Sequence, residues 1–137
     1  MSVSPKVRRA QPEAAIQRAV LAHLAWRGGP NLFAFHCPNG GWRSSVEAAI
    51  LKGLGVVPGV PDILIVSAGQ LFGLELKAPG GRLSSNAQVL TQARMAAAGA
   101  IIGTAKGVDE ALEWLAQRQL LRPTSGVELA TRHERGD

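Results

Sequence analysis

The chain has no tyrosine, one cysteine and only 4% aromatic residues in 137. The lone Cys37 excludes an internal disulfide and, by itself, any cysteine-rich zinc site. A reducing setting follows, and the protein is expected in the cytoplasm. No apolar run approaches the roughly 18 residues that cross a bilayer, so no membrane association is expected. The opening segment MSVSPKVRRAQPEAA lacks the apolar core of a signal peptide. Acids are few beside bases, 10 against 15, for a formal net charge of +5. That balance suits a polyanion such as nucleic acid. Yet Arg8, Arg9, Arg18, Arg43, Lys52, Arg82 and Arg94 are scattered and form no readable stripe. Internal repeats and low-complexity segments are also missing.

What is present is ordinary globular material, 46% hydrophobic, with 16 glycines concentrated mid-chain. The length suits one domain, expected over residues 10–121, with 1–9 and 122–137 as flexible tails. Ala15, Ile16, Ala19, Val20 and Leu24 recur at intervals of three and four and predict a helix. Pro12 suits its first turn, Glu13 its N-terminus, and Gly28-Gly29-Pro30 its end. NLFAFH reads as a strand, CPNGGWRSS as a loop, and SVEAAILKGLG as a short helix capped by Ser44 or Ser45. DILIV, SAGQ and LFGLELK read as strand, hairpin turn and returning strand. A helix is expected over 85–98, with Ser85 and Gln88 at capping-box spacing and Gly99 at its C-terminal end. AIIGTA is a further strand, and 108–119 an amphipathic helix on which Trp114 packs, as Trp26 does on the first. The order implies an α/β fold with a central mixed sheet flanked by helices.

Three charges interrupt the apolar hairpin. Side chains alternate along a strand, so Glu75 and Lys77 share one face while Leu74 and Leu76 take the other. The SAGQ turn folds the head of one strand against the end of the next, which brings Asp62 to Glu75 and Lys77. Two carboxylates so close repel, and one has its pKa raised unless a cation intervenes. Lys77 offsets part of the repulsion, and a divalent ion offsets more. Hard oxygen ligands suit Mg²⁺ or Mn²⁺, held by Asp62, Glu75 and the backbone carbonyl of Leu76. Such an ion activates water and polarises a phosphodiester, while Lys77 orients the water or stabilises developing charge. The plain alternatives are a cross-strand ion pair or a buried charged cluster, a costly solution in so small a core.

Pro61-Asp62 followed by Glu75-Leu76-Lys77 resembles the PD-(D/E)xK nucleases. The flanks are similar to their VRR-Nuc branch: EAAIQ with Glu13 and Gln17, the PNGG loop from Pro38 to Gly41, K-x-x-G-x-x-x-G-x-P-D from Lys52 to Asp62, and the helix-borne Gln88. The resemblance runs from about Glu13 to Gly103. It implies a restriction-endonuclease-like αβββαβ core and metal-dependent hydrolysis of DNA phosphodiesters. Asp62 and Glu75 would be metal ligands, Lys77 the catalytic lysine, Glu13 a further member of the metal site directly or through water, and Gln88 a neighbour of the metal or scissile phosphate. It further implies a structure-specific endonuclease on branched DNA or Holliday junctions, working as a homodimer.

Other residues carry two readings. Gln88 either acts at the site or only completes the capping box. Asn39, Gly40 and Gly41 either form an ordinary turn or admit a DNA backbone, with Arg43 on a phosphate and Lys52 and Arg82 as further DNA contacts. Trp42 either stacks on a base or packs in an interface or core. His36 and Cys37 have no partner at ligand spacing and read as packing or loop residues. The competing function is a nuclease-like fold that binds DNA or a partner without cutting. The intact set of Asp62, Glu75 and Lys77 argues for the enzyme.

Overall fold

In the computed structural model, which describes residues 5–38 and 44–122, helix α1 (Pro5–Arg27) is followed by strand β1 (Leu32–His36) and helix α2 (Ser45–Gly53). Strands β2 (Ile63–Ser67) and β3 (Gln70–Lys77), helix α3 (Asn86–Ala97), strand β4 (Ile101–Lys106) and helix α4 (Gly107–Gln117) complete it. The sheet order is β1-β2-β3-β4, antiparallel at the first two junctions and parallel at β3–β4. The expected mixed sheet with flanking helices is thus the observed one.

The β2–β3 hairpin turns through two residues, Ala68 (φ 50°) and Gly69 (φ 79°), both left-handed. Positive φ at both central positions is the turn whose twist matches that of the strands. It fixes the register Ser67↔Gln70 through Ile63↔Leu74. Ile63, Ile65, Phe72, Leu74 and Leu76 then share one face. They pack against Ile16, Val20 and Leu24 of α1 and Ala111 and Leu115 of α4. Each large aliphatic chain so buried contributes roughly 1.5–3 kcal/mol before the entropy of ordering it. Glu75 and Lys77 therefore point to the opposite face, which α3 covers. Near the end of the described chain, Leu121 bridges to Gly28, and Arg122 N–H donates to the Arg27 carbonyl (2.7 Å).

Three expectations are corrected. The first helix begins at Pro5, so Pro12 lies inside it and residues 5–9 are helical. Pro5 satisfies the first-turn preference as well as Pro12 does, and a local rule cannot choose between them. Glu13 consequently stands more than two turns into α1, and its first turn holds no acid. Trp26 is 64% exposed and packs into no core, although Trp114 does stack edge-on against Phe72 (6.5 Å between ring centroids). At α2 the choice between two caps falls on Ser44, whose hydroxyl accepts from Glu47 N–H (3.1 Å).

Candidate active site

The register carries the site. Since Ile63 faces Leu74, the preceding Asp62 stands opposite Glu75 on the α3 side of the sheet. Pro61, fully buried, rests on β3 where residue 73 is glycine. A Cβ there would come within 2.7 Å of the proline ring, so only glycine lets the Pro-Asp segment lie flat. Asp62 Oδ2 then accepts the Leu76 backbone N–H at 2.7 Å. This bond holds the aspartate against the strand that bears the glutamate.

Glu75 is buried, at 1% exposure. Its carboxyl is pushed up from 4.5 to about 8. Burial is the largest cause, followed by the hydrogen bond to the Asp62 carboxyl and the repulsion from it. Lys77 and Gln92 pull the other way. The expected conflict between the two acids is therefore present, and Lys77 alone does not relieve it.

Helix α3 supplies the neutral partners. The Gln88 amide donates to both Glu75 oxygens (3.3 and 3.2 Å), and its carbonyl accepts from Lys77 Nζ (3.3 Å). The same carbonyl accepts from Ser85 N–H (2.9 Å), while Ser85 Oγ accepts from Gln88 N–H (3.2 Å). Gln88 thus closes the capping box and also links Lys77 to Glu75. Gly99 (φ 111°) follows the last turn, as expected.

Two further side chains touch the segments that carry the pair. Gln92, buried one helical turn beyond Gln88, donates to Glu75 Oε2 (3.5 Å) and to the Gly59 carbonyl (3.3 Å). Its spacing of four from Gln88 was the available signal, because residues four apart share a helix face. His36, at the end of β1, donates Nδ1–H to the Asp62 backbone carbonyl (2.6 Å). Only the sheet register reveals that contact.

Glu13 is half-buried and extends the Ile16–Val20–Leu24 stripe of α1, which packs on the face of the sheet opposite Glu75. Among the described residues, no group of three or more His, Cys, Asp or Glu is placed to hold a metal. Lys52 is exposed in the last turn of α2 and lines a cleft with Val56, Pro58, Leu90 and Arg94. Arg82 is exposed in the segment after β3. Asn39, Gly40, Gly41, Trp42 and Arg43 lie outside the described residues.

The donor set nevertheless suits a hard cation. Two carboxyls face each other across one strand pair, in surroundings that disfavour a second negative charge unless a positive one joins them.

No protein-family model matches the chain, and no curated protein does. Among solved structures, one described as a VRR_NUC domain protein superposes with a TM-score of 0.65 at 24% identity, covering 84% of this chain and 93% of that one. The fold is thus the restriction-endonuclease-like one that the Pro-Asp and Glu-x-Lys pattern implied. No described helix is long and apolar enough to cross a membrane.

Proposed function

We propose that this chain is a metal-dependent deoxyribonuclease of the VRR-Nuc type, hydrolysing DNA phosphodiesters with Mg²⁺ or Mn²⁺. One observation carries the reading: Asp62 and Glu75 face each other in a partly buried site where the glutamate cannot ionise comfortably without an added cation. Asp62, Glu75 and the backbone carbonyl of Leu76 would hold the ion. When bound, it neutralises the acids, activates water and polarises the phosphodiester. Leu76 N–H keeps Asp62 in place. Gln88 orients Lys77 beside Glu75, where its ammonium stabilises charge developing on the phosphate. Glu13, whose helix packs on the other face of the sheet, forms no group with the acid pair among the described residues and is not needed to hold the ion. The net charge of +5 favours a polyanionic substrate, with Lys52, Arg82, Arg43 and the 39–41 loop as its contacts.

The substrate proposed is branched or junction DNA, cut by a homodimer. Self-association is supported by α2, which has no buried residue and exposes Val46 and Ile50, with Leu54 exposed at its C-cap. A second reading, a DNA-binding module that does not cut, is favoured by the lack of a third acid beside the pair among the described residues.

The test is incubation with Mn²⁺ and a panel of duplex, flap, splayed-arm and four-way-junction DNAs. Cleavage is expected, abolished by EDTA. It should fall roughly 100-fold or more in Asp62→Ala, Glu75→Ala and Lys77→Ala while DNA binding persists. Undiminished cutting by Asp62→Ala would reject the assignment. Calorimetry that finds no binding at millimolar Mn²⁺ would favour the non-cutting module.

A further inference from the structure

The two acids reach the site by different routes. Glu75 arrives on β3, inside the sheet. Asp62 arrives at the end of an irregular strap, residues 55–61, that crosses from α2 to β2. The strap has no ladder of its own, and α3 ties it down. Thr91 Oγ donates to the Pro58 carbonyl at 2.6 Å. Gly59 (φ 91°) lies flat on the helix, where a Cβ would collide with the Ala87 carbonyl oxygen. Gln92 then donates to the Gly59 carbonyl (3.3 Å) and to Glu75 Oε2 (3.5 Å).

Gln92 is therefore the one side chain among the described residues bonded both to the strap carrying Asp62 and to the Glu75 carboxylate. Its amide has two hydrogens, and each goes to one side of the gap. We infer that Gln92 is a positioning residue that sets the separation of Asp62 and Glu75, and hence the affinity of the pair for a divalent cation. The inference rests on the proposed metal-dependent reading of the same site. It assigns α3 a second task beyond orienting Lys77: Leu76 N–H holds Asp62 from the side of β3, and the helix ties the strap behind Asp62 to the Glu75 carboxyl. Gln92 touches neither the reacting phosphate nor water in this role. Its removal should weaken metal binding and leave turnover at saturating metal nearly intact.

Gln92→Met keeps the volume and removes both donors. Thr91→Val loosens the strap without contacting either acid. Mn²⁺ affinity is measured by calorimetry on the DNA-free protein, and half-saturating Mn²⁺ and saturating turnover in the cleavage assay. Gln92→Met is expected to raise the Mn²⁺ dissociation constant and the half-saturating concentration about tenfold, as for a lost hydrogen bond to a charged group. Its turnover at saturating Mn²⁺ should stay within about threefold of wild type. Thr91→Val should shift the affinity in the same direction by less. A purely structural role would lower the melting temperature and leave the metal affinity of the folded protein unchanged, and that result overturns the inference. If Gln92→Met does not fold, Thr91→Val decides, and wild-type affinity in it overturns the inference. A wild-type protein that binds no Mn²⁺ overturns the underlying reading and the inference together. Unchanged variants of a wild type that does bind overturn the inference alone.

Discussion

At Glu75, burial and charge act on one atom group. The folded protein holds a proton there up to about pH 8, whereas an unfolded chain releases it near the ordinary carboxyl value of 4.5. Between those values the folded state binds more protons than the unfolded one, so stability falls as pH rises through the window. Below it the contribution is fully present. The expected loss across the window is on the order of a few kcal/mol. Urea denaturation of the metal-free protein, run from about pH 5 to about pH 8, should show a falling midpoint that flattens in Glu75→Gln. Adding Mn²⁺ near neutral pH should restore the midpoint, because a bound cation favours the ionised form. A midpoint that rose over this range would contradict the placement of the carboxyl. The convergence of Asp62 and Glu75 could be read from strand alternation and a short turn. The near-complete burial of Glu75 could not, since it depends on a helix that follows later in the chain.

Among the elements, the β2–β3 hairpin sets the site, and its turn contains a local misfit. Ala68 sits at φ 50°, a conformation that strains a residue with a Cβ. Asn-Gly is the pair that such a turn favours. Ala68→Asn is therefore expected to stabilise the protein by about 0.5–1 kcal/mol, read as a higher urea midpoint, without altering metal affinity. No gain would mean that the register is held by the strands alone. The hairpin and the α3 capping box were both legible, because each is specified within a few residues. The start of α1 was not. Two prolines each suit a first turn, and only the long helix that formed shows which one opened it. Glu13 moved with that boundary, from a helix terminus to the inner part of a helix on the other layer.

For the whole molecule, the core lies between one face of the sheet and the α1–α4 pair, and much apolar surface stays outside it. Val46 (70% exposed) and Ile50 (58%) stand on α2, and Leu54 (77%) at its C-cap. An amphipathic helix with no buried residue leaves its apolar side unsatisfied in a monomer. If a second copy covers it, light scattering should report a dimer, and Ile50→Glu combined with Leu54→Glu should report a monomer. Because both side chains are exposed within one chain, the melting temperature of the monomeric fold should change little. A wild type that stays monomeric at about 100 µM, where even a weak interface (roughly micromolar) would be filled, would remove the homodimer from the proposal.

The amino-acid order by itself determined the strands, the helices apart from the start of α1, the hairpin turn, the capping box and the meeting of Asp62 with Glu75 and Lys77. Each of these depends on side-chain periodicity or on contacts a few residues apart. Tertiary structure alone decided that Glu75 is the acid that is buried, that Gln92 and Thr91 fasten the strap, that His36 caps the Asp62 carbonyl, and that α1 and α3 lie on opposite faces. Those outcomes come from elements distant in sequence packing on one sheet. Desolvation and long-range hydrogen bonds exist only once the neighbours arrive, and no local pattern encodes which neighbours they will be.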